Sequence, residues 1–356
     1  MLFQHKFDVV RSHLDIISDD DNGTVCMLRL LVTSMDDESP DITHSTIKVL
    51  TNELKRTKWL DPKTMDLVFN RYKWIGLPKG EVVTAFCALL HPIMTKVNPF
   101  AYSMGNIFDT MTNERYIKYS ASIAQLFLDK FNPDKIVERS TIEENCSKIA
   151  ATICDEVEDT VAKELLLKMV DIVNHTLKTN VYVENRYSLG LRLDPRIMEQ
   201  NLSQREIPYG AMFVHGRRFN AFHVRFRDIA RGGMRLVTPS SHEQHALESA
   251  RQYDECYDLA FSQQLKNKDI PEGGSKAVNL IDCHGLSNEA KQFVMRKSVK
   301  AFVNTIFDLI IDNNDLPKSP DYLGTKEIIY LGPDEQVSIV FVEFLLKIRF
   351  HSSNMN

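Results

Sequence analysis

Apolar positions in the first part of the chain recur at the three- and four-residue spacing of amphipathic helices. Within 42–56, Ile47, Val49, Leu50 and Leu54 fall near one face. Residues 78–94 are apolar and open on Pro78, a residue tolerated in a first helical turn. From Thr141 to about Lys178, Ile149, Ile153, Val157, Val161, Leu165, Leu166 and Val170 keep helical spacing. The run Thr141-Ile142-Glu143-Glu144 resembles a capping box, so the spacing predicts one long helix there. Residues 24–34 are short and apolar and predict a strand. This half carries no recognisable chemistry and reads as a helical platform.

From about Asn180 the period changes to two. Tyr187, Leu189, Leu191 and Leu193 alternate with polar or small residues, a half-buried strand that Pro195 ends. Residues 211–214, the turn candidate His215-Gly216-Arg217-Arg218, and the alternation of Phe222, Val224 and Phe226 predict an antiparallel hairpin. The polar face of that hairpin carries Arg225 and Arg227, which on their own predict a solvated surface. A helix is predicted over 240–265, with Ser240 and Glu243 at capping-box spacing. A buried strand over 277–281, an amphipathic helix over 288–311 and a strand over 328–331 follow. This order predicts a mixed-sheet α/β layer after the helical region.

Composition narrows the function classes. Apolar residues make up 43% and charged residues 26% of 356, ordinary for a globular protein with room for a large core. A formal charge of −5 gives no support for a nucleic-acid binder, which needs clustered cations. No apolar run approaches the roughly 18 residues of a membrane span, and the N-terminus lacks a secretory signal pattern. Six cysteines show no C-x-x-C spacing and fit a reducing compartment, so the expectation is neither secreted nor membrane-bound. His242 and His245 stand three apart on a predicted helix without further ligands around them, so no metal is expected and a solvated first turn is.

Three glycine-bearing segments carry the candidate chemistry. They are Arg231-Gly232-Gly233-Met234-Arg235, then Asn267-Lys268-Asp269-Ile270-Pro271-Glu272-Gly273-Gly274-Ser275-Lys276, and Gly332-Pro333-Asp334-Glu335. Paired glycines let backbone approach a ligand, and an arginine beside them can clasp a carboxylate. A desolvated lysine in a tight loop can exchange protons near neutral pH. An aspartate at the carboxyl end of a strand lies where α/β folds place ligands.

In their combination and order, these segments resemble the NAD-specific glutamate dehydrogenases of the large-subunit type, within the wider amino-acid dehydrogenase superfamily. The resembling stretch runs from about Lys178 to Glu335 and includes Pro208-Tyr209-Gly210 and Phe222-His223-Val224-Arg225-Phe226-Arg227-Asp228-Ile229-Ala230 leading into Arg231. The resemblance implies NAD-dependent oxidative deamination of L-glutamate to 2-oxoglutarate and ammonia. It implies that Lys276 activates the water that attacks the iminium intermediate, and that Asp334 shuttles a proton to and from the substrate nitrogen. Arg231 stands where the superfamily has a substrate lysine, so it or Arg235 would hold a carboxylate. Gly232, Gly233, Gly273 and Gly274 would let substrate lie against backbone. A second substrate lysine of the superfamily corresponds to Gln264, counting back from Pro271, with Lys266 or Lys268 as alternatives for its charge. Homo-oligomers and a mitochondrial or cytoplasmic location are also implied.

The expected organisation is therefore a mostly helical region (1–178), a mixed-sheet substrate-binding catalytic domain (179–335) and an atypical tail (336–356) where the family continues into its NAD domain. None of the 14 glycines lies two residues from another, so G-x-G-x-x-G does not occur. The chain reads as truncated before the NAD domain and is expected to be inactive alone, because hydride transfer needs the nicotinamide about 3–3.5 Å from the substrate carbon. The apolar stretch 337–350 reads as aggregation-prone. Two other readings stand beside the dehydrogenase: a non-catalytic glutamate-binding or regulatory protein, and a dehydrogenase of another amino acid. Arg231 favours a dicarboxylate over an alkyl side chain, since an unpaired buried arginine facing an alkyl group is costly.

Overall fold

The computed structural model describes residues 2–19, 23–35, 44–135, 137–199, 205–266, 272–311 and 319–334. The chain opens on a two-stranded antiparallel ribbon, β1 (Phe7–Asp19) and β2 (Gly23–Ser34), with Phe7 opposite Ser34 and Asp19 opposite Gly23. The sequence reading finds β2 and misses β1. The apolar doublets Val9-Val10 and Ile16-Ile17 break the period-two signature there, and both faces of the ribbon carry exposed apolar groups.

The helices follow: α1 (His44–Arg56), α2 (Pro62–Met65), α3 (Leu77–Met94), α4 (Met104–Met111), α5 (Ile117–Lys130), α6 (Arg139–Glu156) and α7 (Thr160–His175). Helix α3 is apolar almost all round and sits at the centre, with Val82, Val83, Phe86, Leu89 and Leu90 fully buried. Phe86 meets Phe127 of α5 edge to face at 5.3 Å. The single helix expected from Thr141 is two helices and a strand. Thr141 lies inside α6, whose N-cap is Glu138 without a side-chain bond. The chain leaves α6 extended at Val157, and Asp159 caps α7 by accepting from Ala162 N. Apolar spacing continues across this break, so periodicity alone does not reveal it. The buried Lys130 ammonium closes the far end of α7, donating to Val173 O (2.6 Å) and Thr176 O (2.7 Å).

The second part is a mixed sheet. Its elements are β3 (Thr176–Thr179), β4 (Leu189–Leu193), α8 (Arg196–Glu199), β5 (Gly210–Gly216), β6 (Phe219–Arg225), β7 (Ile229–Val237), α9 (His242–Gln264), β8 (Gly273–Ile281), α10 (Asn288–Ile310) and β9 (Ile328–Pro333). The strand order is β3-β4-β5-β6-β8-β7-β9. Pairing is antiparallel from β3 to β8 and parallel from β8 through β7 to β9. The expected hairpin is β5–β6, closed by Arg217-Arg218, with Arg218 in the left-handed region at φ 63°.

Alternation sends successive side chains to opposite faces. On one face, Met212, Val214, Ala221, Met234 and Leu236 pack with Phe302, Val303 and Ile306 of α10. On the other, Phe213, Phe222, Val224 and Val278 join Tyr253, Cys256 and Ala260 of α9 and the helical region in one continuous core. Helix α9 starts one residue later than the expected cap: Ser241 Oγ accepts from Gln244 N, and Ser240 bonds Gln244 Oε1. Arg227 is exposed, as expected, but Arg225 is 1% exposed. It joins Arg192, also 1% exposed, around the carboxylate of Glu327. A carboxylate arriving from the segment before β9, about 100 residues away in sequence, is what converts a surface-type arginine into a buried one.

Candidate active site

Lys276 and Asp334 come together at the parallel edge of the sheet. Lys276 is the fourth residue of β8, and Asp334 follows directly on β9. Lys276 Nζ donates to Asp334 Oδ2. Asp334 therefore stands at the carboxyl end of a strand, as the sequence predicts, and its amide donates to Met234 O of β7 at 3.3 Å. The side chains are 16% and 37% exposed, so a small molecule can reach both.

The register explains the meeting. Gly332 pairs with Gly233, and continuing the β7–β8 register from Arg231↔Gly274 brings Gly233 level with Lys276. Asp334 lies two residues beyond Gly332, on the same face. A Cβ on Gly233 would stand 3.1 Å from the Asp334 side chain, so the bare glycine lets Asp334 lie close against β7.

The other three glycines are occupied by protein. A Cβ on Gly232 would lie 1.7 Å from Ser275 O, and one on Gly274 would lie 2.1 Å from Gln264 N and 2.4 Å from Ala260 O. A Cβ on Gly273 would strike Arg227 at 2.6 Å. These positions let β7, β8 and α9 approach closely. The segments expected as glycine loops are, over 231–235 and 273–276, strands. The sequence signal for close approach is right, while the approaching atoms belong to the same chain: backbone at Gly232 and Gly274, and the Arg227 side chain at Gly273.

The candidate cations have partners. Arg231 Nε lies 2.7 Å from Glu272 Oε1, and Arg235, 51% exposed, lies 3.1 Å from Glu255. Gln264 turns its Oε1 to Gly274 N at 2.6 Å, so it acts as an acceptor that pins the start of β8 to the end of α9. Lys266 is exposed at the end of α9, and Lys268 lies outside the described residues. Cys256, which the sequence reading does not single out, lies under the site. Its thiol donates to Lys276 O at 3.2 Å, and burial pushes its pKa up to about 12, which keeps the proton in place. The only sequence signal for this role is its place on the inward face of α9.

Residues 148–337 match the family model of the bacterial NAD-glutamate dehydrogenase catalytic domain. The chain belongs to this family. The NAD-specific glutamate dehydrogenase of Saccharomyces cerevisiae is 41% identical over 172 residues, which are 48% of this chain and 15% of that protein. Glutamate dehydrogenase 2 of Dictyostelium discoideum is 31% identical over 256 residues, 70% of this chain and 23% of that one. A probable NAD-specific glutamate dehydrogenase of Schizosaccharomyces pombe is 31% identical over 274 residues, with the same 70% and 23% shares. The chain thus spans under a quarter of the length of these curated relatives. Lys276, Asp334 and the glycines around them all fall inside the family match. No helix among the described residues is long and apolar enough to cross a membrane, and no cluster of three or more metal-ligating side chains occurs among them.

Proposed function

We propose that this chain forms the substrate-binding part of an NAD-dependent glutamate dehydrogenase, which converts L-glutamate to 2-oxoglutarate and ammonia. The contact between Lys276 and Asp334, within reach of solvent, carries this reading. In its amine form Lys276 takes a proton from the water that attacks the iminium carbon. Asp334, protonated at the start, delivers its proton to the nitrogen and takes back the carbinol O–H proton as the C–N bond breaks, so that ammonia leaves and the carbinol oxygen becomes the carbonyl oxygen of 2-oxoglutarate. A lysine and a carboxylate in hydrogen-bond contact can hold the two protons this exchange needs.

Arg231 would take a substrate carboxylate in exchange for Glu272, its present partner at 2.7 Å. That Arg231 and Arg235 both have carboxylate partners supports a second reading, a dehydrogenase of an amino acid without a side-chain carboxylate. NAD is the cofactor named for the relatives, and none of this chain's glycines has the dinucleotide-binding spacing. Homo-oligomer formation belongs to the same proposal.

Calorimetric titration of the 356-residue chain with 2-oxoglutarate tests the reading. Binding is expected, weakened at least about tenfold in Lys276→Ala, the loss of one charge-assisted contact. Equal affinity of wild type and variant would overturn it. Tighter binding of 2-oxoisocaproate than of 2-oxoglutarate would favour the second reading.

A further inference from the structure

The ribbon of β1 and β2 has no core of its own. Its strands run 13 and 12 residues, and Phe7 is their one buried side chain among the described residues. A two-stranded ribbon is marginal by itself in water and gains stability when another layer covers one of its faces.

The register sorts the side chains into two unlike faces. Leu14 pairs with Leu28, Ile16 with Cys26 and Ser12 with Leu30, and past the bulge at Val10, Val9 pairs with Val32. Directly opposed residues share a face. One face therefore carries Val9, Leu14, Ile16, Cys26, Leu28 and Leu30, and no charged side chain among the described residues. The other carries Arg11, His13, Asp15 and Arg29 between its apolar groups, and Arg29 donates to Asp15 at 2.8 Å. The uncharged face lies open: Leu14 and Leu28 are each 60% exposed and Ile16 is 62% exposed.

Whatever covers this face must bring no charge to it, because a charge placed there would lose its water without gaining a partner. The same face of a second copy meets that condition. It is charge-free, equally long and equally pleated, and a two-fold axis brings identical surfaces together. Two such ribbons stack as a small sandwich about 10 Å apart, crossed by about 30°, with both charged faces turned outward to water. Six half-exposed side chains at roughly 100 Å² each supply on the order of 1,000 Å² over the two copies, which is what a specific interface needs.

We propose that the uncharged face of the β1–β2 ribbon is a dimer interface, packed on the same face of a second copy of this chain. It gives the proposed homo-oligomer a contact surface, and it rests on the ribbon's geometry rather than on the Lys276–Asp334 pair.

Sedimentation velocity of the 356-residue chain over a dilution series tests it. A species of twice 40.9 kDa is expected, dissociating on dilution. Leu28→Asp, at an exposed position of the uncharged face, is expected to raise the dissociation constant at least about tenfold, since its carboxylate is solvated in the monomer and buried in the dimer. Val25→Asp adds the same charge at a 59% exposed position of the other face, opposite Ile17, and is expected to leave the dimer as in the wild type. Leu28→Asp and wild type are expected to respond equally to 2-oxoglutarate, so failure of the active-site reading and failure of this one are told apart. A monomer at every concentration, a dimer that Leu28→Asp leaves intact, or one that Val25→Asp weakens as much as Leu28→Asp would each overturn it.

Discussion

Two charge clusters occupy neighbouring positions on the same strands and have opposite characters. Arg225 pairs with Ser275 and Val224 with Lys276, so Arg225 and Lys276 sit one residue apart in register and point to opposite faces. On one face Arg225 and Arg192 close around Glu327, with side chains 1–3% exposed. On the other, Lys276 meets Asp334 within reach of solvent. The first cluster is removed from water, and its charges are held by one another. The second can be entered, and its protons can be exchanged. Burial separates a structural ion pair from a chemical one; the sheet's pleat assigns each side chain to its face, and what covers that face decides the rest.

The comparison can be broken at several points. Glu327→Ala should show the largest effect. It leaves two buried arginines without a counter-charge and should lower unfolding stability by about 3–5 kcal/mol in urea titration. A loss below about 1 kcal/mol would mean that this cluster is solvated after all. Gly232→Ala forces a Cβ into Ser275 O and should cost about 3 kcal/mol, read in the same way, because strand backbone must move.

A pH scan sharpens the contrast further. His91, bonded to Ser249 of α9 at 2.8 Å, has its pKa lowered to about 4, first by burial and then by His245 and Lys63. Between the ordinary value of 6.5 and about 4, the unfolded chain takes up a proton that the folded chain refuses. Stability should therefore fall as pH drops through this window, by an upper limit of about 3 kcal/mol. His91→Gln should flatten that slope. An unchanged slope in the variant would assign the acid sensitivity to other groups.

Lys276→Ala should show the smallest stability effect, under about 1 kcal/mol, since its partner Asp334 stays partly in water. The same variant should lose 2-oxoglutarate affinity. A stability loss as large as that of Glu327→Ala would place Lys276 with the structural cluster and remove the contrast.

Much of the architecture was legible along the chain. Period-two alternation marks β4 and β6, and the apolar stripe of α10 and the order of elements announce a mixed sheet. The glycine segments single out Lys276 and Asp334 before any geometry is known. Less was legible where partners are remote. Gln264, read as a substitute for a substrate lysine, instead accepts from Gly274 N. Arg231 and Arg235 read as free cations, but Glu272 and Glu255 come beside them only on folding. Cys256 carries no motif at all.

The sequence by itself determined which residue types stand at fixed spacing: the strand and helix periods, the small residues needed where chains cross closely, and the lysine and aspartate set beside them. Those are local properties, set by side-chain direction and steric size within a few residues. The tertiary structure alone decided which atoms press against the site glycines, which arginines are buried and which stay near solvent, and that Lys276 meets Asp334. Each of these depends on atoms brought together from tens to hundreds of residues apart, and on the water excluded when they meet.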